Sequence, residues 1–281
     1  MHPPTSTKML ARAKVNLCLH VTGKTADGYH LLDSLVVFPN VGDVISVAPA
    51  DILGLQIDGP FASGLSCSDN IIIDAAKTFG TRRGAAITLI KNLPVASGIG
   101  GGSSDAAATL HLLADHWGVA LPGAEKTLQL GADVPVCMTA KAQHMQGIGE
   151  VLNPVPDLPE FAIVLVNAGV LISTKHVFAA LSKTRNPPMD AAKGFADFNG
   201  LCDYLKSQRN DLQAAASKIS PEISRVIKAL QAEPACALAR MSGSGATCFG
   251  LFETLHQAQD AAMKIKKTNP DWWVQPAMVY R

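Results

Sequence analysis

Gly98-Ile99-Gly100-Gly101-Gly102-Ser103-Ser104-Asp105 is the stretch from which the fold is read. Its four glycines follow a strand-like run, Ala86-Ile87-Thr88-Leu89-Ile90, and precede a helix-like run that the pattern starts near Ser103. Ser103 or Ser104 is placed to cap that helix. Ala106, Leu110, Leu113 and Trp117 then fall on one face at helical spacing. A strand, a glycine loop and a helix present consecutive backbone N–H groups at a helix N-terminus. The first turn there lacks partners and the macrodipole favours negative charge. The loop therefore suits a phosphorylated ligand, with a plain flexible turn as the other reading. It is not a Walker loop, because no lysine lies between Lys91 and Lys126, and the G-x-G-x-x-G pattern fails because position 103 is serine.

The chain of 281 residues suits one large or two modest domains. Apolar residues make up 48%, enough for a sizeable core, and 17% charge argues against disorder. A net charge of +1 with no basic block speaks against extended nucleic-acid binding. Cys18, Cys67, Cys137, Cys202, Cys236 and Cys248 form no C-x-x-C pair and no zinc spacing, so no metal site is expected. Most are read as buried thiols in a reducing compartment. The first seven residues show no basic or apolar leader pattern. The longest apolar stretch, Phe161 to Ile172, is too short to span a bilayer and contains Asn167 and Gly169. The expectation is a cytoplasmic protein without membrane partners.

Residues 10–22 alternate, with Ala11, Ala13, Val15, Leu17, Leu19 and Val21 on one face and Arg12, Lys14, Asn16, Cys18 and His20 on the other. Strands are expected over 29–38, 43–47, 53–57, 86–90, 161–167 and 272–279. Helices are expected from a cap at Ser68 or Asp69 to about Phe79, from the glycine loop to Trp117, and over 123–130, 174–182, 203–217, 221–232 and 254–267. The proline-rich Asn153-Pro154-Val155-Pro156-Asp157-Leu158-Pro159 marks a boundary between domains 1–155 and 160–281. Without a regular βαβ rhythm, the class is α+β.

Lys14 and Asn16 share a strand face, where solvated edge positions are the plainer reading. Asp133 follows Gly131 and precedes Pro135, which also fits a helix N-cap. Asp105 is read as a dipole-compensating carboxylate with no catalytic role. A glycine loop for ATP phosphates, a lysine and an aspartate are together what phosphoryl transfer requires, since it needs positioning and charge neutralisation more than covalent help.

Three segments in this order resemble the GHMP kinase superfamily: Ala13-Lys14-Val15-Asn16-Leu17, the Pro94 to Ser104 loop, and Gly243-Ser244-Gly245-Ala246. Ala26-Asp27-Gly28-Tyr29-His30, Leu130-Gly131-Ala132-Asp133-Val134-Pro135 and Gly147-Ile148-Gly149-Glu150 narrow the likeness. They resemble the branch that phosphorylates 4-diphosphocytidyl-2-C-methyl-D-erythritol in non-mevalonate isoprenoid synthesis. The likeness runs from residue 11 to about 252. It implies a two-domain α+β GHMP kinase fold, with an N-terminal domain like the second domain of ribosomal protein S5 and a ferredoxin-like C-terminal domain. It implies ATP and Mg²⁺, phosphorylation at the 2-hydroxyl, and Lys14 and Asp133 as the catalytic pair. Asn70, Pro94, Gly98, Gly100, Gly101, Gly102, Ser103 and Ser104 match nucleotide-binding positions. Asn16 matches a contact to the methylerythritol unit, His30 a residue that reads the cytosine edge through its backbone and orients the substrate, and Tyr29 and Phe178 the rings on the two faces of the cytosine. For Tyr29 and Phe178 a place in the core is the competing reading. The competing functions are a homoserine, mevalonate or sugar kinase, a non-catalytic sensor on the same fold, and an S5-like RNA binder, which the near-neutral charge disfavours.

Overall fold

In the computed structural model, which describes residues 7–81 and 83–280, the glycine stretch does join a strand to a helix. Residues 1–6, most of the segment read for a leader, lie outside the described residues. The strands are β1 (Thr7–Arg12), β2 (Val15–Lys24), β3 (His30–Val37), β4 (Gly42–Ala48), β5 (Leu53–Asp58), β6 (Ala85–Ile90), β7 (Gln143–Gly147), β8 (Val151–Pro154), β9 (Phe161–Asn167), β10 (Leu238–Met241), β11 (Cys248–Phe252) and β12 (Trp273–Val279). The helices are α1 (Ile71–Lys77), α2 (Gly101–Trp117), α3 (Ala124–Leu130), α4 (Val134–Thr139), α5 (Thr174–Ala179), α6 (Phe198–Ser207), α7 (Gln213–Ile219), α8 (Glu222–Gln231) and α9 (Leu255–Thr268). No helix among the described residues is long and apolar enough to cross a membrane.

The chain packs as two units. The first holds the described residues up to Ala13 together with Val41–Val95 and Gly100–Ala140. Its sheet runs β1-β4-β6-β5, antiparallel except for the parallel pair β5 and β6. Ala85, Ile87 and Leu89 of β6 are buried while Ala86 and Ile90 are exposed, the period of two expected of a strand with one face on a core. Those residues pack with Ile45 and Val47 of β4, Ile72 of α1, and Leu112, Leu113 and Trp117 of α2. Fully burying an aliphatic side chain of this size contributes roughly 1.5–3 kcal/mol. The predicted apolar face of α2 is present but divided, since Ala106 and Leu110 belong to a separate cluster with Ala75 and Val134.

The second unit holds Lys14–Asn40, Ala96–Ile99 and Lys141–Arg281. It contains the antiparallel sheets β2-β3-β7-β8 and β10-β11-β9-β12. Helix α8 buries Ile223, Val226, Ile227 and Leu230, one helical stripe, in the same core as Val164 and Val166 of β9. Helix α9 starts on a capping box, with the Thr254 side chain and Gln257 bonding each other's backbone N–H.

Several expectations are corrected. Residues 10–22 are two strands in different sheets, β1 pairing with β4 and β2 with β3. The break falls where Ala13 donates to Val41 O (2.9 Å) and Lys14 to Ile99 O (2.8 Å) instead of to a strand neighbour. Alternation shows which side chains share a face, but not where a chain changes sheets. The packing units also differ from 1–155 and 160–281. Strand β8 runs into the proline-rich stretch and pairs with β7, in a sheet whose other strands include β2 from near the start of the chain. The first helix is capped by Asn70, whose side chain accepts from Ile72 N, and not by Ser68 or Asp69. The helix expected over 203–217 is two. Helix α6 begins earlier on an Asp197 cap, and Asn210, whose Oδ1 accepts from Leu212 N (2.9 Å), sits in the break before α7. Cys67 is exposed and Cys236 half-buried, the other four thiols buried.

Arg240 on β10 is buried, and its guanidinium donates to Leu17 O (2.8 Å), Leu205 O (2.9 Å) and Gln208 O (2.8 Å). Two of these carbonyls close α6, where the helix dipole favours a cation. One planar fork satisfies three backbone acceptors, which a lysine ammonium on a flexible stem reproduces poorly. Arg240→Lys is expected to lower unfolding free energy by about 2 kcal/mol, and Arg240→Ala by about 3 kcal/mol or more, because buried carbonyls lose their donors. Urea unfolding monitored by circular dichroism measures both; an Ala variant as stable as the parent would remove the role.

Candidate active site

Lys14 immediately precedes β2 and Asn16 is its second residue. At 4% and 0% exposure they are not solvated edge residues. The Lys14 backbone is tied to Ile99 in the middle of the glycine loop. The Asn16 N–H donates to Ser242 Oγ (3.1 Å) and its Nδ2 to Ser34 Oγ (2.8 Å), while its buried Oδ1 has no hydrogen-bond partner. Ser242 Oγ donates in turn to Gly98 O (3.1 Å), and Thr247 N to Ser97 O (3.0 Å). The early strand motif, the first half of the glycine loop and the late glycine turn are thus joined by hydrogen bonds within the second unit.

Gly98 has φ +75°, and a Cβ there would lie 2.5 Å from Gly245 O and 2.8 Å from Ser242 O. Its lack of a side chain is explained by packing against this turn.

Tyr29 is 62% exposed, which removes the core reading. Its N–H donates to Thr25 Oγ1 (3.0 Å) and its carbonyl accepts from Thr25 N (2.8 Å), holding the turn before β3. The His30 ring stacks on Phe178 with centroids 4.7 Å apart and planes at 27°. Burial, and then the charge of Lys24, pull the His30 imidazole below its ordinary pKa, so it is neutral at pH 7. Its Nε2 is buried without a hydrogen-bond partner. Phe178 also flanks the main core beside Leu181, so the core reading of its side chain is partly correct.

In the first unit, α2 begins at Gly101, with Gly100 left-handed at φ +63° in the capping position and no side chain capping the helix. The expected serine cap is therefore corrected. Ser104 is buried and its Oγ donates to Arg12 O (2.6 Å), while Ser103 is a half-buried residue of the first turn. Only a backbone that turns through positive φ enters the helix here, which suits glycine and excludes the extended conformation of a serine N-cap. A helix start without a side-chain cap leaves its first-turn N–H groups suited to an anion. Pro94 is buried at the entry to the loop. Asn70 uses both ends of its amide locally, Oδ1 on Ile72 N (3.1 Å) and Nδ2 on Ser66 O (3.0 Å). Asp133 stands at the start of α4 but makes no capping bond with its side chain, so the N-cap reading fails for the carboxylate.

Asp105 is not a surface dipole partner. It is 3% exposed and its Oδ2 accepts from Lys91 Nζ (2.6 Å), which also donates to Asp43 Oδ2 (2.5 Å). Burial, with Asp43 close by, pushes its carboxyl up to about 8 in spite of Lys91. Burial works against the Lys91 ammonium, but Asp105 and Asp43 outweigh it and hold its pKa above the ordinary value. The sequence reading did not single out Lys91 or Asp43. The signal was a charged residue in each of two strand-like apolar runs, at Asp43 and directly after Ile90.

Residues 70–148 match the family model for the GHMP kinases N terminal domain, and residues 191–271 match that for GHMP kinases C terminal. A 4-diphosphocytidyl-2-C-methyl-D-erythritol kinase of Cereibacter sphaeroides is 53% identical over 274 residues, covering 96% of this chain and 98% of that protein. One of the same name from Dinoroseobacter shibae is 50% identical, with 99% and 100% covered. The crystal structure of a 4-(cytidine 5'-diphospho)-2C-methyl-D-erythritol kinase superposes with a TM-score of 0.80 at 29% identity, covering 98% of this chain and 100% of that one. With its sheets, its glycine loop and these likenesses across its length, the chain belongs to the GHMP kinase family.

Proposed function

We propose that this chain is a kinase that transfers the γ-phosphoryl group of ATP to the 2-hydroxyl of 4-diphosphocytidyl-2-C-methyl-D-erythritol. The observation that carries the reading is the bond from Lys14 N to Ile99 O, which ties the one buried lysine of the early motif to the glycine loop. Full-length likeness to kinases named for that substrate supports the choice of acceptor.

In this reading the first-turn N–H groups of α2, from Gly101 to Ser103, bind the phosphates, and Gly100 turns the chain into them. Asn70 and Pro94 flank the nucleotide. Mg²⁺ carried in by the ATP phosphates would offset their negative charge. The residues fit that load: the helix start has no side-chain cap, and a Cβ on Gly102 would meet only Ile71 Cγ2, at 3.9 Å. Lys14 neutralises charge that develops on the moving phosphoryl group. Asp133 orients the acceptor hydroxyl and takes its proton as the bond to phosphorus forms. Tyr29 stacks on the cytosine, His30 and Phe178 support that ring site, and Asn16 bonds the methylerythritol part. Both substrates are soluble charged nucleotides, which suits a cytoplasmic reaction.

A phosphoryl-transfer assay with Mg-ATP and a panel of acceptors, the product phosphate located by NMR, tests the assignment. Phosphorylation of homoserine or mevalonate with none of the cytidyl substrate would overturn it. Asp133→Ala is expected to lower kcat by about 100-fold or more while changing cytidine-nucleotide affinity little; steady-state kinetics and a CDP titration check this.

Tyr29→Ala is expected to weaken CDP binding by roughly 1–3 kcal/mol, the scale of base–aromatic stacking, with Tyr29→Phe milder. Since Tyr29 is exposed, the melting temperature is expected to hold. Unchanged CDP affinity in the Ala variant would move the cytosine elsewhere.

Gly102→Val has room in the fold but places methyl groups over the proposed phosphate position. It is expected to weaken binding of an ATP analogue about tenfold or more, leaving CDP binding and the melting temperature near those of the parent. Gly101 is the poorer probe, because a Cβ there would press on Lys91 Nζ at 3.2 Å. Calorimetric titration of both ligands separates the outcomes.

A further inference from the structure

The glycine loop leaves β6 through Lys91, Asn92 and Leu93 and enters α2 at Gly101. Both ends are held by one buried ion cluster of the first unit. Asp43 Oδ1 accepts from the backbone N–H groups of Asn92 (2.6 Å) and Leu93 (2.8 Å), pinning the chain as it leaves the sheet. Asp43 Oδ2 accepts from Lys91 Nζ (2.5 Å), and the same ammonium reaches Asp105 Oδ2 (2.6 Å), one turn into α2. The helix start lies directly on this cluster, since a Cβ on Gly101 would be 3.2 Å from Lys91 Nζ and 3.6 Å from Asp43 Oδ2. All three side chains are at most 5% exposed.

Stability alone is a poor reason for such a cluster. Taking two acids and an ammonium out of water costs about as much as their attraction returns, and apolar side chains of the same volume are often at least as stable. What charged groups supply is direction: each bond fixes a distance to a particular backbone segment. Here the segments are the two shoulders of the loop.

We propose that Asp43, Lys91 and Asp105 form a clamp that sets the position of the first-turn N–H groups of α2, acting as positioning residues for the nucleotide phosphates without touching them. The proposal rests on the reading of this loop as the ATP phosphate site. Asp105 is the member to test, because its neighbours Ser104 and Ala106 are engaged elsewhere and its Oδ1 bears no hydrogen-bond partner. Asparagine at this position keeps the shape and the acceptor facing Lys91, whereas alanine releases the helix from the clamp.

The test uses the full chain and two calorimetric titrations, one with a non-hydrolysable ATP analogue and one with CDP, beside steady-state kinetics. Asp105→Ala is expected to bind the ATP analogue about tenfold more weakly and to raise KM for ATP in proportion, with kcat at saturation within about threefold. Asp105→Asn is expected to restore analogue affinity to within about threefold, and CDP affinity to stay within about twofold in both variants. If the Ala variant does not fold, Asp43→Asn is read in the same way, since it keeps the acceptor for Asn92 and Leu93 and loses the charge on Lys91. A folded Ala variant that binds the analogue like the parent, or one that loses both ligands equally, would overturn the clamp. A parent chain that binds CDP but no ATP analogue would instead overturn the phosphate-site reading, and the clamp with it.

Discussion

The approach of Gly98 to the turn at Ser242–Gly245 is the contact on which the placement of Lys14 and Asn16 depends. With φ +75° and two carbonyl oxygens within 2.8 Å of where its Cβ would be, position 98 admits no side chain without moving a backbone. Once the two turns meet, the rest is set by short bonds. Ser242 bridges Gly98 O to Asn16 N, Thr247 N takes Ser97 O, and Ile99 O takes Lys14 N. Three stretches separated by up to 226 positions in sequence are held by backbone groups and the one Ser242 hydroxyl, so the backbones that carry Lys14 and Asn16 are fixed. In the proposed reading, a lysine whose backbone is fixed this way loses less conformational entropy on meeting a phosphate than one on a free loop.

Elements with a strong pattern were legible in the sequence: β6, α8 and α9 fall within a few residues of expectation because one face of each is apolar, and β9 because it is a short continuous apolar run, buried throughout. The α+β class and the three motifs followed in the same way. What was not legible came from tertiary choices. Nothing local separates β1 from β2, because the break at Ala13 and Lys14 is made by partners at Val41 and Ile99. Strands β7 and β8 are short, β7 mostly polar with Met145 its one buried residue and β8 without a buried residue, so no alternation announces them. Serine looked like the cap of α2, and glycine took its place, because a left-handed entry was needed more than a side-chain acceptor.

Among the site residues, the sequence identified groups by resemblance and the structure altered the reasons for several of them. Gly98 is explained by the turn it packs against, and Asn70 caps α1 as its first duty. Asp105, read as a carboxylate that compensates the helix dipole, is one of two buried acids sharing a lysine. Charged residues far from solvent are the places where pattern reading fails most. A buried aspartate near the start of a helix has the same sequence signature as an exposed one, and only the ammonium 14 residues upstream distinguishes them.

Buried polar atoms without partners are rare because each forfeits the hydrogen bonds it made in water, at about 1–3 kcal/mol. Within the second unit two of them, Asn16 Oδ1 and His30 Nε2, belong to the paired strands β2 and β3. Both stand at positions matched to substrate contacts, and neither is left bare by a poor local fold. Asn16 is held at its N–H and at Nδ2, and His30 is held by its stack on Phe178. A side chain fixed at its other atoms cannot turn the remaining one toward water. The fold therefore keeps these two atoms desolvated, and in the proposed reading a ligand that supplies a donor to Asn16 and a partner to the neutral His30 recovers that cost on binding, whereas one lacking them does not. In that reading, selectivity among acceptors of the same family fold follows from what the strands leave unmet as much as from what they contact.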